Sequence, residues 1–338
     1  MRRIVLAAQA DGLPTVETFR LEEAPAPDLS DGQVLTRTLC FSVDPGTRSR
    51  LSSGASYAPP LKVGETIDGF CIGQVVESLN PRFSEGDLVA MGGGWADHCI
   101  FSGRGYIQKI PHDRLPLSYW IGVLGVPGMT AWFGLQRVAG LKTGDRLLIT
   151  SAAGPVGATA AQIARVKGAG LVVGLARGTE KALWLRSEAR LDAVIDYALS
   201  PDLTADLKHA GPEGYDCLFD NVGPEMIDRV IPLMRPGGRI VISGQLADYN
   251  ARPGEARGLM NSRYFISSRL RMEGLVVFDD LRGFPAAQSE LSGMIEAGDV
   301  HVREIRYSGL EAAPGAFIDL FTGLDFGRRI VDIAAPSV

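Results

Sequence analysis

Between Leu147 and Lys181 the spacing of apolar and polar positions changes three times. LLIT (147–150) is an apolar run of strand length, and SAAGPVG (151–157) interrupts it with glycines. ATAAQIARVKGAG (158–170) then places apolar residues at helical spacing, and LVVGLA (171–176) is a second apolar run that ends at Arg177. Short continuous apolar runs are the mark of strands buried on both faces, and the intervening period of 3.6 is the mark of a helix. Together they predict a strand, a tight turn, a helix and a second strand, which is the layout of a dinucleotide-binding βαβ unit.

The remainder of the chain falls into contrasting parts. Up to about residue 120, short runs such as QVLTRTL, GFCIGQVVES and GDLVAMGG are broken by Gly, Pro, Asp and Ser, which predicts an all-β region rich in turns. From about Trp120 helical stretches alternate with the apolar runs RLLIT, LVVGLA, AVIDY, CLFDNV, RIVISG and RMEGLVVF. That alternation predicts an α/β fold with a doubly wound parallel sheet covered by helices on both faces. SELSGMIEAG reads as a helix ending near Gly298. VREIRYSGL, GAFIDLFTG and RRIVDI then read as strand, short helix and last strand, a return toward the N-terminal β region. The expected division is 1–122, completed by 301–338, and 123–300.

Composition narrows the partner classes. The 338 residues suffice for about two domains, and a 46% hydrophobic content allows a sizeable core. A net charge of -5 argues against nucleic acid or an anionic membrane as the main partner, so a small anionic ligand needs local positive charge. The four cysteines (Cys40, Cys71, Cys99, Cys217) are scattered, which favours reduced thiols and a cytoplasmic location over a disulfide framework. The N-terminal MRRIVLAAQADG superficially resembles a signal peptide. Its apolar run Ile4–Ala8 is below the roughly 7–15 residues of a secretory core, and a first strand ending at Asp11-Gly12 fits better. No apolar stretch approaches the roughly 20 residues of a membrane-spanning helix.

The glycine turn carries the first candidate site. SAAGPVG holds A-x-G-x-x-G, one glycine short of the usual fingerprint, but it follows a strand and opens a helix. Gly154 would let backbone approach a pyrophosphate, Gly157 would let helix and strand pack closely, and Ala153, Pro155 and Val156 complete the turn. The helix start offers free N–H groups and partial positive charge to phosphate. A tight strand–helix turn in another α/β protein would share this pattern. After the second strand, where an NAD site usually has Asp or Glu for the ribose 2′-hydroxyl, the sequence reads Arg177, Gly178, Thr179, Glu180 and Lys181. Two cations there suit a 2′-phosphate, hence NADPH, although a solvated helix start would look the same. Asn221, Gly223, Ser243 and Gly244 fall at the carboxyl ends of apolar runs, where ligands of open α/β sheets bind, and each is equally readable as a turn residue.

Metal-ligand spacing is missing. Cys40 is followed by FSVDPGT, GETIDG has no His beside Glu65, and His98, His112, His209 and His301 show no ligand pattern. The expectation is no metal site. Polarisation of a carbonyl would then fall to hydrogen-bond donors, which disfavours simple alcohol oxidation.

The segments FSVDPGTRSR, YAPPLKVGE, GQVVESLNPRFSEGD, LGVPGMTAWFGL, SAAGPVGATAAQIA, TEKALWL, LDAVIDY, FDNVGPEMID, SGQLADYN, RLRMEGLVVFD and FTGLDFGRRIV occur in that order across nearly the whole chain. In these the chain resembles the medium-chain dehydrogenase/reductases. Within them it is similar to the zinc-free leukotriene B4 12-hydroxydehydrogenase/prostaglandin reductase group, with its alkenal double-bond and curcumin reductases. The resemblance implies a GroES-like β-rich catalytic domain beside a Rossmann NADP-binding domain, and a homodimer acting on small molecules. It implies NADPH-dependent reduction of the C=C bond of α,β-unsaturated ketones or aldehydes, an oxidoreductase of CH–CH groups. It implies Lys181 and Tyr197 at the 2′-phosphate, Tyr249 near the nicotinamide ribose and reacting carbonyl, and Phe278 beside the carboxamide. Thr130, in LGVPGMTAWFGL, is counted with the cofactor-binding residues.

Three positions depart from the family pattern. Asp44-Pro45-Gly46-Thr47-Arg48 lacks the family's aromatic at Gly46. Asp325 stands where the family often has Asn at a cofactor contact, and Arg177 stands where it has a small residue. For the enolate that hydride addition creates, Tyr249 is the first candidate donor, Tyr57 the second and Tyr264 a weaker third. Two other functions fit the same features: a zinc-free NADPH quinone reductase, and an NADPH-binding protein without turnover.

Overall fold

The computed structural model describes residues 1–25, 28–52, 59–111, 114–250, 258–322 and 325–336, and the chain divides into two compact units. One comprises Met1–Gly122 and Glu304–Val338, the other Val123–Arg303.

In the first unit β1 (Arg2–Leu6) and β2 (Phe19–Glu23) form an antiparallel pair. β1 stops at Leu6, so Asp11-Gly12 lies in a connecting loop and not at the strand end expected from sequence. β3 (Val34–Ser42), β4 (Asp68–Ser78), β5 (Leu88–Gly94), β6 (His98–Phe101) and β7 (Ile107–Lys109) follow. β3 is central: it pairs antiparallel with both β4 and β6, and Val34, Phe41, Cys71, Val75, Val89 and Met91 from these strands are buried in one core with Trp95.

The second unit contains the parallel sheet. Its strands are β8 (Arg146–Ile149), β9 (Leu171–Ala176), β10 (Ala193–Asp196), β11 (Tyr215–Asp220), β12 (Met234–Ile242) and β13 (Arg271–Gly274). They lie in the order β10-β9-β8-β11-β12-β13, with every neighbouring pair parallel. Within this unit that is the order 3-2-1-4-5-6 of a Rossmann sheet, whose reversal point lies between β8 and β11. The helices are α1 (Val126–Phe133), α2 (Pro155–Val166), α3 (Thr179–Ser187), α4 (Leu203–Ala210), α5 (Pro224–Val230), α6 (Tyr264–Ser267) and α7 (Phe284–Glu296). The middle strands are buried on both faces (Leu147, Leu148, Ile149, Val172, Val173, Leu218 and Phe219 are all at 0%), which explains their uninterrupted apolar sequence.

The run RMEGLVVF is not one strand. β13 ends at Gly274, Leu275 N–H makes a last bond to Ile242 O, and Val277–Gly283 follows as short helical turns broken at Asp280. The apolar residues of that run therefore do not continue the sheet.

The chain then returns to the first unit through β14 (Glu304–Ser308), α8 (Ala313–Thr322) and β15 (Arg328–Asp332). β15 pairs antiparallel with β3. The buried Arg328 guanidinium donates to Asp44 and to Ile121 O at 2.6 Å, so the last strand is locked to the earlier chain by charge as well as by its ladder. No helix among the described residues is long and apolar enough to cross a membrane.

Candidate functional site

The strand–turn–helix at β8 is built by close backbone packing. Ser151 adopts φ +48°, a left-handed conformation uncommon for a residue with a side chain, and it turns the chain sharply out of the sheet. Gly154 N–H bonds back to Ser151 O at 3.0 Å, and Pro155 opens α2. A Cβ on Gly157 would sit 2.5 Å from Ser151 O and 2.9 Å from Ala152 Cα, both backbone, so only glycine lets α2 approach this closely. Small residues continue the effect: Ala158, Ala160, Ala161 and Ala164 form the buried face of α2. No side chain caps this helix start, and the first N–H groups of any helix lack intrahelical acceptors. Ala153 is buried, Gly154, Pro155 and Val156 are half-buried, and the turn presents backbone donors with a positive dipole end. Thr130 lies on α1, which packs on α2, and its hydroxyl donates to Val126 O at 2.8 Å.

The corner after β9 is organised from the next strand. Tyr197 N–H bonds to Ala176 O at 3.2 Å, and Gly178 N–H donates to Asp196 Oδ2 at 2.9 Å. The ends of β9 and β10 are thereby held together, and Gly178 takes φ +99°, a turn that a side chain disfavours. This brings Arg177, Lys181 and Tyr197 to one corner, with Arg177 exposed, Lys181 half-buried and Tyr197 41% exposed. Among the described residues Arg177 has no ion-pair partner, whereas Glu180 is paired with Arg303 at 2.9 Å.

At the reversal point a polar cluster closes the strand ends. Thr150 Oγ donates to Asp220 Oδ1 at 2.7 Å, and the N–H groups of Gly223 and Val222 donate to Asp220 Oδ2 at 2.8 and 3.2 Å. Asn221 Nδ2 donates to Thr150 O at 2.7 Å, and Ser243 Oγ donates to Asn221 Oδ1 at 2.6 Å. The side chains of Asn221 and Ser243, expected from sequence at a ligand, are here engaged as ties between β8, β11 and β12. Gly244 is packed against the same knot: a Cβ there would lie 3.1 Å from Asn221 O. Burial pushes the Asp220 carboxyl up to about 6, against the lowering effect of the Thr150, Gly223 and Val222 hydrogen bonds. Sequence reading passed over Thr150 and Asp220. The available signal was a polar residue closing each of two fully apolar runs, LLIT and CLFD.

Tyr249 stands in the loop after this cluster, which the bonds Leu246 N–H to Asn221 O and Ala247 N–H to Val222 O fasten to the strand ends. Burial raises the pKa of its phenol, so the hydroxyl keeps its proton at neutral pH and stays a donor. Phe278 follows β13 and is 39% exposed. Tyr264 begins α6 at the edge of the second unit's core. Asp325 belongs to the first unit, is exposed, and accepts from Phe326 N–H at 2.8 Å. Tyr57 and His112 lie outside the described residues.

These features fit a dinucleotide phosphate: a glycine cradle that a Cβ would fill, an uncapped helix start, and two cations past the second strand. Among the described residues no group of three or more His, Cys, Asp or Glu is placed to hold a metal ion.

Known proteins share this architecture and about a third of its sequence. Residues 2–109 match the family model of an N-terminal domain of oxidoreductases, and residues 155–296 match the model described as zinc-binding dehydrogenase. The chain is 37% identical to the NADPH-dependent curcumin reductase of Escherichia coli, over 99% of this chain and 98% of that protein. It is 36% identical to an NADP(+)-dependent 2-alkenal reductase of Nicotiana tabacum, over 89% of this chain and 87% of that protein. Among solved structures it resembles CurA from Vibrio vulnificus in complex with NADPH. That match has a TM-score of 0.91 and 34% identity, and it covers 99% of this chain and 100% of that one.

Proposed function

The chain belongs to the zinc-free family of medium-chain dehydrogenase/reductases that holds curcumin, prostaglandin and 2-alkenal reductases, and on that premise we propose that it reduces the C=C bond of α,β-unsaturated ketones and aldehydes with NADPH. The observation that carries this reading is the corner after β9, where Arg177 and Lys181 stand in place of the acid that an NAD site uses.

When bound, NADPH would supply the hydride for the β-carbon of the substrate. The chain's own residues hold the cofactor and stabilise the oxygen on which charge develops. The turn from Ala153 to Gly157 would take the pyrophosphate through backbone N–H groups, and Arg177, Lys181 and Tyr197 would take the 2′-phosphate. Thr130, Asn221, Ser243 and Gly244 would also touch the cofactor, with Phe278 beside its carboxamide. Addition of hydride leaves an enolate, and a donor aimed at its oxygen lowers the barrier most. Tyr249 is that donor, supported by its protonated phenol at the strand ends, with Tyr57 the second candidate. Water protonates the α-carbon. Carbonyl polarisation would rest on hydrogen-bond donors. The Rossmann unit would carry the cofactor together with Tyr249, and the protein would work as a cytoplasmic homodimer. β13, one of the two edge strands of the parallel sheet, with exposed Arg271, Glu273 and Gly274, supports an edge-to-edge pairing of subunits.

A steady-state panel of 2-alkenals, benzylideneacetone and benzoquinone, each with NADPH and with NADH, tests the assignment. NADPH with the unsaturated carbonyls is expected to give the highest kcat/KM, by about tenfold or more over NADH. Turnover of benzoquinone alone would transfer the protein to the quinone reductases. Tight NADPH binding without turnover of any substrate would make it a binding protein. Tyr249→Phe is expected to lower kcat about 10- to 100-fold with NADPH affinity kept. A wild-type kcat in that variant would remove Tyr249 from the donor role.

A further inference from the structure

The corner after β9 holds as many acids as cations: Arg177 and Lys181 against Glu180 on α3 and Asp196 at the end of β10. By formal charge it is neutral, which is a poor start for a site that must prefer a phosphate ester to a hydroxyl. The structure shows where both acids are directed. Asp196 accepts from two backbone N–H groups, Gly178 at 2.9 Å and Ala198 at 3.1 Å, one on each oxygen. Glu180 Oε1 accepts from Arg303 Nη2 at 2.9 Å, across 123 positions of sequence.

Arg303 does not reach Glu180 by chance of a long side chain on a loose segment. Two residues earlier, His301 is bound through its backbone to α2: its N–H donates to Gln162 Oε1 at 2.7 Å, and its carbonyl accepts from Gln162 Nε2 at 3.1 Å. Gln162 is 2% exposed, so this clamp is sheltered from water. The helix whose start takes the pyrophosphate therefore also holds the segment that neutralises Glu180.

We propose that Arg303 is a specificity-determining residue for the cofactor: by pairing with Glu180 it leaves the corner positive, so that an adenosine 2′-phosphate is favoured over a free 2′-hydroxyl. The inference rests on the NADPH reading given above. Without Arg303, Glu180 becomes a free carboxylate beside the ribose, repelling phosphate and able to accept from a 2′-hydroxyl as acids do in NAD sites.

The test is equilibrium binding of NADPH and of NADH, followed by quenching of protein fluorescence, at low salt and at about 0.5 M salt. Wild type, Arg303→Ala, Glu180→Gln and the double variant are compared. Arg303→Ala is expected to weaken NADPH about threefold or more at low salt, to leave NADH unchanged or tighter, and to lose most of its effect at high salt. Adding Glu180→Gln restores NADPH affinity to the wild-type level, and Glu180→Gln alone keeps or tightens it. A double variant as weak as Arg303→Ala overturns the proposal, since Arg303 would then act without Glu180. So does an Arg303→Ala protein with the wild-type NADPH/NADH ratio, or a loss that salt leaves untouched. A wild-type protein that binds both nucleotides equally refutes the NADPH reading itself and this inference with it.

Discussion

On the proposed reading, the turn at Ser151–Gly157 and the corner at Arg177–Lys181 would serve two phosphates of one ligand by different physics. The turn is backbone: a left-handed Ser151, a glycine that backbone atoms leave no room to replace, and a helix start without a side-chain cap. The corner is side chains, mostly in contact with water, whose balance depends on which acids are engaged elsewhere. Backbone donors inside a packed turn are fixed in direction and change only at the expense of the fold. Exposed charges are screened and individually weak, so cofactor choice shifts with single residues while the fold stays intact.

The largest expected effect breaks the first half of that contrast. Gly157→Val forces a side chain into Ser151 O and Ala152 Cα, and should cost about 3 kcal/mol or more of stability, read as the midpoint of denaturant unfolding. A variant of unchanged stability would mean that the turn yields easily and is no backbone-defined site.

The strand-end cluster of β8, β11 and β12, on the far side of the turn from the corner, sharpens the contrast next. Asp220→Ala leaves the Val222 and Gly223 N–H groups and the Thr150 hydroxyl without their acceptor, a loss of about 3 kcal/mol. Asp220→Asn removes the charge and keeps one acceptor oxygen, for the Val222 and Gly223 N–H groups, while its NH2 faces the Thr150 hydroxyl, which can rotate to accept. The wild-type carboxyl holds its proton up to about pH 6 when folded, against an ordinary value of 3.8. The folded state thus binds the proton more tightly, and this group adds stability as pH falls from about 6 toward 4 and contributes nothing further above 6. The stability difference between wild type and Asp220→Asn should therefore tilt across that window, by on the order of 3 kcal/mol, and be level above it. A level difference throughout would show that Asp220 titrates normally.

At the corner the effects are smaller and fall on binding alone. Lys181→Ala should raise KM for NADPH about tenfold with kcat and thermal midpoint held, and Arg177→Ala should do the same more weakly. An unchanged KM in Lys181→Ala would remove that residue from the site. A fall in thermal stability equal to that of Gly157→Val would erase the distinction between the regions.

Much of this was legible in the residues. The parallel sheet followed from continuous apolar runs, because strands covered on both faces tolerate no polar alternation. Gly154 and Gly157 were legible because their context was a strand before and a helix after. RMEGLVVF was over-read, since apolar content does not reveal where a ladder stops. Thr150 and Asp220 stayed hidden because their partners come from other strands. Arg303 stayed hidden because no spacing rule connects residues 123 positions apart.

The sequence by itself determined the alternation of elements, the glycine turn and the cations after the second strand, all of which depend on neighbours within a few residues. Only the tertiary structure decided what those groups face: that Asn221 and Ser243 bind each other, that Asp220 is buried as a common acceptor, and that Glu180 is paired. Hydrogen bonds and charges act over a few ångströms of space, and the separation of two residues along the chain does not fix that distance until the sheet has formed.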